Sequence, residues 1–383
     1  MQRHGQHGKY PANSVIPIKN EVARVLKSRI DTRRHETVTL VNSAAEMNRL
    51  ESFMKYFLAI WLALGLTAAS ASTPFDPFTD TQRLEFEYRV AIDRPDAPVL
   101  RLWLPYPNDD AEQTVLGYEV EQPATLKLPA RLMREPRYGN AMLYFEIGRD
   151  EFPETGPLNL SVLYRIERRP VGIIDPTEAA ARPNLRADLY SGPNPRLKSN
   201  ETIREMAREA TAKSRSDSDK VRALYDYVHD LMTYDKQGEG WGRGDPIWAC
   251  TAKRGNCTDF HSLYIAMAGE VGLTARFEIG VPIPTQADEG EISGYHCWAR
   301  VLDPARGWVP IDASEAKKSG QRDAYFGALP SDRVAFSIGR DLVLSPAQQG
   351  AGLNFFIYPY AEAGGAVYEG VRSSFHFRRL RRT

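Results

Sequence analysis

Three cysteines are few for a chain of 383 residues. They argue against a disulfide scaffold, and without a CxxC pair they argue against a zinc ribbon or a thioredoxin-like site. The chain also lacks an excess of either charge. Forty-nine Lys and Arg balance forty-nine Asp and Glu, so its overall charge calls for neither nucleic acid nor an anionic surface, and the basic end RRLRRT reads as a solvated tail. No internal repeat and no low-complexity tract is present. The longest apolar run falls short of the roughly 20 residues that a membrane-spanning helix needs. What remains is a globular composition, 42% hydrophobic, in a chain long enough for two domains.

That apolar run begins at Met54. MKYFLAIWLALGLTAASAS carries a charged Lys55, an apolar stretch from Tyr56 to about Ala69, and the small residues Ala69-Ser70-Ala71. This is the layout of a secretory signal peptide over 54–71. Cleavage there implies an exported protein, periplasmic or secreted, with no stable membrane insertion afterwards; an uncleaved anchor is the alternative. Residues 1–53 hold nine Lys/Arg against five Asp/Glu and show little periodicity. Translation is therefore expected to start at Met54, leaving 1–53 as a disordered start-site artefact.

From Gln82 the pattern has a period of two. Leu84, Phe86, Tyr88, Val90 and Ile92 alternate with polar residues, as do Leu100, Leu102 and Leu104, then AMLYFEI, then Leu158 to Ile166. Short alternating strands separated by Pro and Gly turns predict an antiparallel β-sandwich over 79–170. A Pro- and Gly-rich connection follows over 171–198. The period then becomes helical: Asn200 caps a helix carrying Ile203, Met206, Ala207 and Ala210, and a second helix aligns Val221, Leu224, Tyr225, Val228 and Met232. A glycine- and tryptophan-rich loop, GEGWGRGDPIW, leads to RGNCTDFHSLYIAMAGEVG, where Phe260, Leu263, Tyr264, Met267, Ala268 and Val271 mark a third helix with one buried face, stopped by Gly272. Strand-like runs TARFEIGVPI, YHCWARVLD and WVPIDAS come next.

Cys257 stands at the start of that third helix. Unpaired N–H groups and the helix dipole there favour a thiolate and lower its pKa from about 8.5, and its own N–H can face a developing oxyanion. A small buried side chain is the alternative reading. Downstream, GYHCWARVLD supplies His296, and WVPIDAS supplies Asp312 on the next strand, with DPARG as the hairpin between them. A thiolate needs a base, and the base needs an orienting group.

These three motifs, GNCTDFHSL, GYHCWA and GWVPIDAS, resemble in order and spacing the transglutaminase-like superfamily of papain-like cysteine enzymes. The resemblance spans about residues 200–316. It implies an α+β fold in which an N-terminal antiparallel β-sandwich precedes a papain-like core at 199–318, a helix-borne cysteine facing an antiparallel sheet. It also implies a nucleophile in Cys257, a general base and acid in His296, and an orienting residue in Asp312, with no cofactor and no metal. The strands before it, and the strand-rich extension 319–383 with DRVAFSIGRDL and LNFFIYPYAE, resemble the flanks of bacterial secreted members. The family hosts cross-linking, deamidation, proteolysis and inactive relatives. The expected activity is an exported amide hydrolase, a peptidase or amidase acting on a peptide or protein through a thioester; protein-glutamine acyl transfer and a catalytically idle binding module are the alternatives. Hydrolysis is favoured because the glycine-rich loop is short and no further domain follows to shield the thioester. In animal cross-linking relatives a tryptophan upstream of the cysteine serves as a second oxyanion donor, a place open here to Trp241 or Trp248, each of which also reads as a packed aromatic.

Other residues carry two readings. His261, one turn after Cys257, is either a substrate contact in the cleft or a solvated or hydrogen-bonded structural histidine. Asp259 is either a dipole-favouring carboxylate or a substrate-positioning group. Cys297 should point away from His296 into the core, where Cys250 and Cys297 either pair or stay free. His229 reads as structural. A zinc site drawn from Cys257, His261, His296 and an aspartate is the competing chemistry, and the absence of a tight ligand pair such as HExxH speaks against it.

Overall fold

The alternating patterns of the N-terminal half fold as strands with one face buried. In the computed structural model, which describes residues 75–172 and 187–380, β1 (Gln82–Ile92) buries every second side chain from Gln82 to Ile92. The same alternation runs along β6 (Leu158–Arg168). Between them lie β2 (Val99–Pro105), β3 (Gln113–Glu121), β4 (Arg131–Arg134) and β5 (Ala141–Gly148). Antiparallel pairing sets Phe86 opposite Tyr164 and Leu102 opposite Phe145. The readings of 1–53, of 54–71 and of half of the 171–198 connection fall outside the described residues.

The sandwich is not confined to 79–170. Its two sheets have the strand orders β10-β16-β1-β6-β3 and β15-β14-β2-β5-β4, and four of those ten strands come from beyond residue 280. They are β10 (Glu289–Ile292), β14 (Tyr360–Ala363), β15 (Ala366–Val367) and β16 (Val371–Leu380). The last strand runs beside the first from Arg83↔Leu380 to Ile92↔Val371. Three strands of the expected C-terminal extension, β14, β15 and β16, thus belong to the sandwich. The physical reason is that β1 has two hydrogen-bonding edges, and an open one would be a template for aggregation. Alternation shows which side of a strand faces inward and is silent about which strand lies beside it.

The helical half begins with α1 (Asp188–Ser191), then α2 (Glu201–Thr211), where the Asn200 side chain accepts the Ile203 amide at 3.0 Å, and α3 (Asp217–Leu231). After β7 (Thr233–Tyr234), α4 (Pro246–Ala252) and β8 (Arg254–Gly255) comes α5 (Cys257–Glu270). A four-stranded antiparallel sheet of order β12-β11-β9-β13 follows, formed by β9 (Ala275–Pro282), β11 (His296–Asp303), β12 (Gly307–Ile311) and β13 (Arg333–Ile338), with α6 (Ala313–Ser319) after β12. The fold is α+β.

The helix α5 departs from the expectation of one buried face. Every residue from Cys257 to Ala268 is buried, because β9 and β11 cover one side while α2, α3, α4 and α6 cover the rest. Its polar residues are therefore interior residues and need interior partners. Across the base of the sheet, Arg300 of β11 bridges Glu278 of β9 at 3.1 Å and Glu112, just before β3, at 3.2 Å. Burial alone would raise Glu278, but the Arg300 and Arg276 guanidinium groups outweigh it and hold the carboxyl at about 2. This ion cluster ties the four-stranded sheet to the sandwich.

Candidate active site

The start of α5 is built by its own short-range chemistry. Asn256 is the N-cap, its side chain accepting the Thr258 amide at 2.9 Å, while the Asp259 carboxylate reaches back to the Asn256 amide at 2.9 Å. Such a cap contributes about 1 kcal/mol. Asp259 also accepts the amides of Gly242 at 2.7 Å and Gly244 at 3.0 Å, so it anchors the glycine-rich loop to the helix. Gly255 lets the chain pass: its φ is +149°, and a Cβ there would stand 2.3 Å from the Asp259 carboxylate. A side chain two residues before Cys257 would collide with the group that shapes the turn.

Cys257 takes the first helical position and is 2% exposed. Burial pushes its thiol up, but contacts from Cys297 and His296 and the charges of His296 and His261 outweigh that and hold it well below the ordinary thiol value. The His296 Nε2–H donates to Asp312 Oδ2 at 2.5 Å, which leaves Nδ1 as the nitrogen free for the sulfur. Burial would lower the imidazole, yet the Asp312 charge dominates and raises it to about 9. Asp312 is fully buried; its carboxyl would rise by burial and is instead held well below the usual range by His296, His261 and Arg333. Both shifts run in the direction that favours a thiolate beside an imidazolium.

Asp312 has a second task. It is the N-cap of α6, its Oδ1 accepting the Glu315 amide at 2.9 Å and the Ser314 hydroxyl at 3.0 Å, and its own amide is tied to Tyr325 O at 3.0 Å. The carboxylate cannot turn away from His296 without uncapping a helix.

The structure thus gathers Cys257, His296 and Asp312 and assigns other places to the remaining candidates. Asp259 is buried beneath the glycine loop, away from any substrate surface, because loop amides occupy its oxygens. His261 is fully buried behind the three residues and is neither a cleft contact nor solvated; its Nε2 is 3.5 Å from Asp312 Oδ1 and its Nδ1 is 3.7 Å from Cys297 Sγ. Trp248 is half-buried under the glycine loop, its indole nitrogen against Gly240. Trp241 is half-buried within that loop. Cys297 does lie in the core, but the face it enters is covered by the first turn of α5: its sulfur is 3.7 Å from the Thr258 hydroxyl and contacts Cys257. All three cysteines are free, with Cys250 facing the Met206 sulfur at 3.4 Å. His229 faces Asp230 and Arg322.

Three contributors escaped the sequence reading. The Tyr295 hydroxyl meets the Asn256 amide group at 2.9 Å and the Thr258 hydroxyl at 3.2 Å, and its ring lies 5.4 Å from Phe355 and 6.2 Å from Tyr358, which come from the C-terminal segment. Arg333, nearly buried, reaches Asp312 at 3.7 Å and Glu315 at 4.0 Å. Arg340 donates to Gly244 O at 2.8 Å and to the Ser262 hydroxyl at 2.5 Å. Tyr295 sat within a motif already singled out, whereas the two arginines were hidden in a strand pattern whose polar members read as solvent-facing.

Among the described residues, His296, Asp312 and Glu315 bring three possible ligand atoms within 4.8 Å of one another. The set differs from the zinc site considered above, as Cys257 and His261 are absent from it. Its carboxylates already serve Arg333, Lys318, the α6 amide and His296. This is an ion-pair cluster, and a cation would have to displace the guanidinium first.

Residues 204–313 match the Transglutaminase-like superfamily. An uncharacterized protein of Haemophilus influenzae is 25% identical over 329 residues, spanning 75% of this chain and 87% of its own. Among solved structures, a candidate cysteine protease from Cytophaga hutchinsonii superposes with a TM-score of 0.50 at 13% identity, over 79% of this chain and 91% of that one. The periplasmic domain of TgpA from Pseudomonas aeruginosa reaches a TM-score of 0.33 at 14% identity, over 62% of this chain and 90% of its own. The fold around α5 and its sheet is transglutaminase-like.

Proposed function

From a transglutaminase-like domain carrying these groups, we propose that the protein is an exported cysteine-dependent amide hydrolase acting on a peptide or protein. The observation that carries this reading is Cys257 at the first position of a buried helix, its thiolate favoured by a His296 imidazole whose other nitrogen is held by Asp312. The thiolate adds to the amide carbonyl, and the Cys257 N–H, which has no intrahelical acceptor in the first turn, donates to the developing oxyanion. The imidazolium of His296 protonates the departing amine, leaving a thioester on Cys257. Neutral His296 then takes a proton from water, hydroxide adds to the thioester, and the acid leaves as the thiolate beside protonated His296 is restored. Asp312 keeps the imidazole in the tautomer that serves both steps. Export rests on the signal-like segment 54–71.

Acyl transfer to an amine is the second reading, and one observation favours it. The expectation of an unshielded thioester assumed nothing after the core that could cover it, whereas Phe355 and Tyr358 from the C-terminal segment pack beside Tyr295, and Cys257 is almost closed off. Water competes less well at a sheltered thioester.

The test is alkylation of the mature protein with iodoacetamide at neutral pH, with mass-spectrometric mapping, alongside turnover of a mixed peptide pool by Cys257→Ala. Selective labelling of Cys257 and loss of turnover are expected. Preferential labelling of Cys250 or Cys297, or normal turnover by the variant, would overturn the reading.

A further inference from the structure

His261 and Cys297 take no part in the mechanism above, yet both are fully buried against it. They form a second thiol–imidazole pair behind the first. Cys297 Sγ is 3.7 Å from His261 Nδ1 and 3.7 Å from the hydroxyl of Thr258, the residue after Cys257. His261 in turn approaches the oxygen of Asp312 that His296 does not use. The two pairs share one carboxylate and meet again at sulfur, where the Cys257 and Cys297 thiols contact one another. No step of amide chemistry needs a second thiol there.

The geometry points to a site of reversible oxidation, in which a peroxide oxidises Cys257 and Cys297 closes on it as an intramolecular disulfide. This rests on Cys257 being the reactive thiol of the proposed function. In the first step the Cys257 thiolate attacks one peroxide oxygen. The O–O bond breaks, a sulfenic acid forms, and the departing hydroxide takes up a proton as water. In the second step Cys297 gives its proton to His261 and attacks the sulfenic sulfur; an S–S bond forms, the S–O bond breaks, and the leaving hydroxide recovers that proton as water. The sum is two thiols and one hydrogen peroxide to one disulfide and two waters.

The groups are placed for these roles. Burial pushes Cys297 well above the usual thiol value, so it waits protonated and needs a base. Burial likewise pushes His261 below the ordinary imidazole value. His261 Nδ1 lies 3.7 Å from the Cys297 sulfur and Nε2 lies 3.5 Å from Asp312 Oδ1, so in the tautomer protonated on Nε2 the Nδ1 lone pair faces that thiol. Cys250 is no competitor, lying in α4 against Met206. Without a neighbouring thiol, a sulfenic acid proceeds to sulfinic and sulfonic acids, which thiol reductants do not reverse. Cys297 is therefore a resolving residue that converts a terminal lesion into a recoverable one.

The experiment treats reduced full-length protein with a several-fold molar excess of hydrogen peroxide, enough to carry an unresolved thiol past the sulfenic acid, blocks free thiols in acid and maps the non-reducing digest. A 257–297 cross-linked peptide is expected, with Cys250 still alkylated, and dithiothreitol should restore iodoacetamide labelling of Cys257. In Cys297→Ser, with Cys297→Ala beside it as a second variant, the cross-link disappears and the labelling recovered by dithiothreitol falls at least about tenfold relative to each variant's own untreated level. Sulfinic Cys257 in the wild-type chain with Cys297 still free, or a cross-link to Cys250, would overturn the proposal. Failure of the untreated protein to label at Cys257 would instead strike at the proposed function itself.

Discussion

Asn256 donates a 2.9 Å hydrogen bond to the hydroxyl of Tyr295, joining the residue before the cysteine to the residue before the histidine. With the Tyr295 contact to the Thr258 hydroxyl, this strut ties the start of the helix to the start of the strand and so bears on the spacing of sulfur and imidazole. Tyr295→Phe removes it while keeping the ring in place. We expect a loss of about 1–2 kcal/mol in stability and a roughly tenfold fall in kcat with KM little changed, read from thermal melts and initial rates. An unchanged kcat would show that helix and sheet hold the register without it.

The thiolate–imidazolium pair sets a pH profile. The kcat/KM should rise through a Cys257 pKa below the usual thiol value of about 8.5, stay level across neutrality, and fall as His296 loses its proton at about 9. Stability follows in sign. Folding raises His296 above its unfolded value of about 6.5, so this contribution is fully present below that value and is lost as pH rises through about 9. A rate that climbs through the ordinary thiol range with no alkaline fall would exclude the pair.

Gly255→Ala places a methyl group 2.3 Å from the Asp259 carboxylate at a backbone angle that side chains avoid. The cost should be about 1–3 kcal/mol, visible as a lower denaturation midpoint. Reactivity of Cys257 towards iodoacetamide should drop as well, because the turn that seats it must shift.

A chain ending before Val371 loses β16, which lies between β1 and β10. Its expected fate is insolubility or protease sensitivity of the N-terminal strands, although none of those residues is deleted. A soluble, cooperatively melting truncation would mean that β1 tolerates an open edge.

The local placement of Cys257, His296 and Asp312 was more legible than the strand pairing. Cys257 at the helix start and the hairpin bringing Asp312 beside His296 depend on residues close in sequence, where spacing carries geometry. The pairing of β1 with β16 does not: Phe86 meets Phe377, and period-two alternation in both strands is compatible with many partners. Polar residues of α5 misled for a related reason. Asp259, His261 and Ser262 look like a solvent face until the loop amides, Asp312 and Arg340 arrive from other segments to satisfy them.

One carboxylate both starts α6 and orients the imidazole. Drift at position 312 is therefore opposed by folding even where catalysis no longer matters, so a relative that has lost its chemistry would still keep an aspartate there. Surveys that sort active from idle members of such a fold should weigh positions 257 and 296, whose side chains have no such structural employment, and give the aspartate little diagnostic weight.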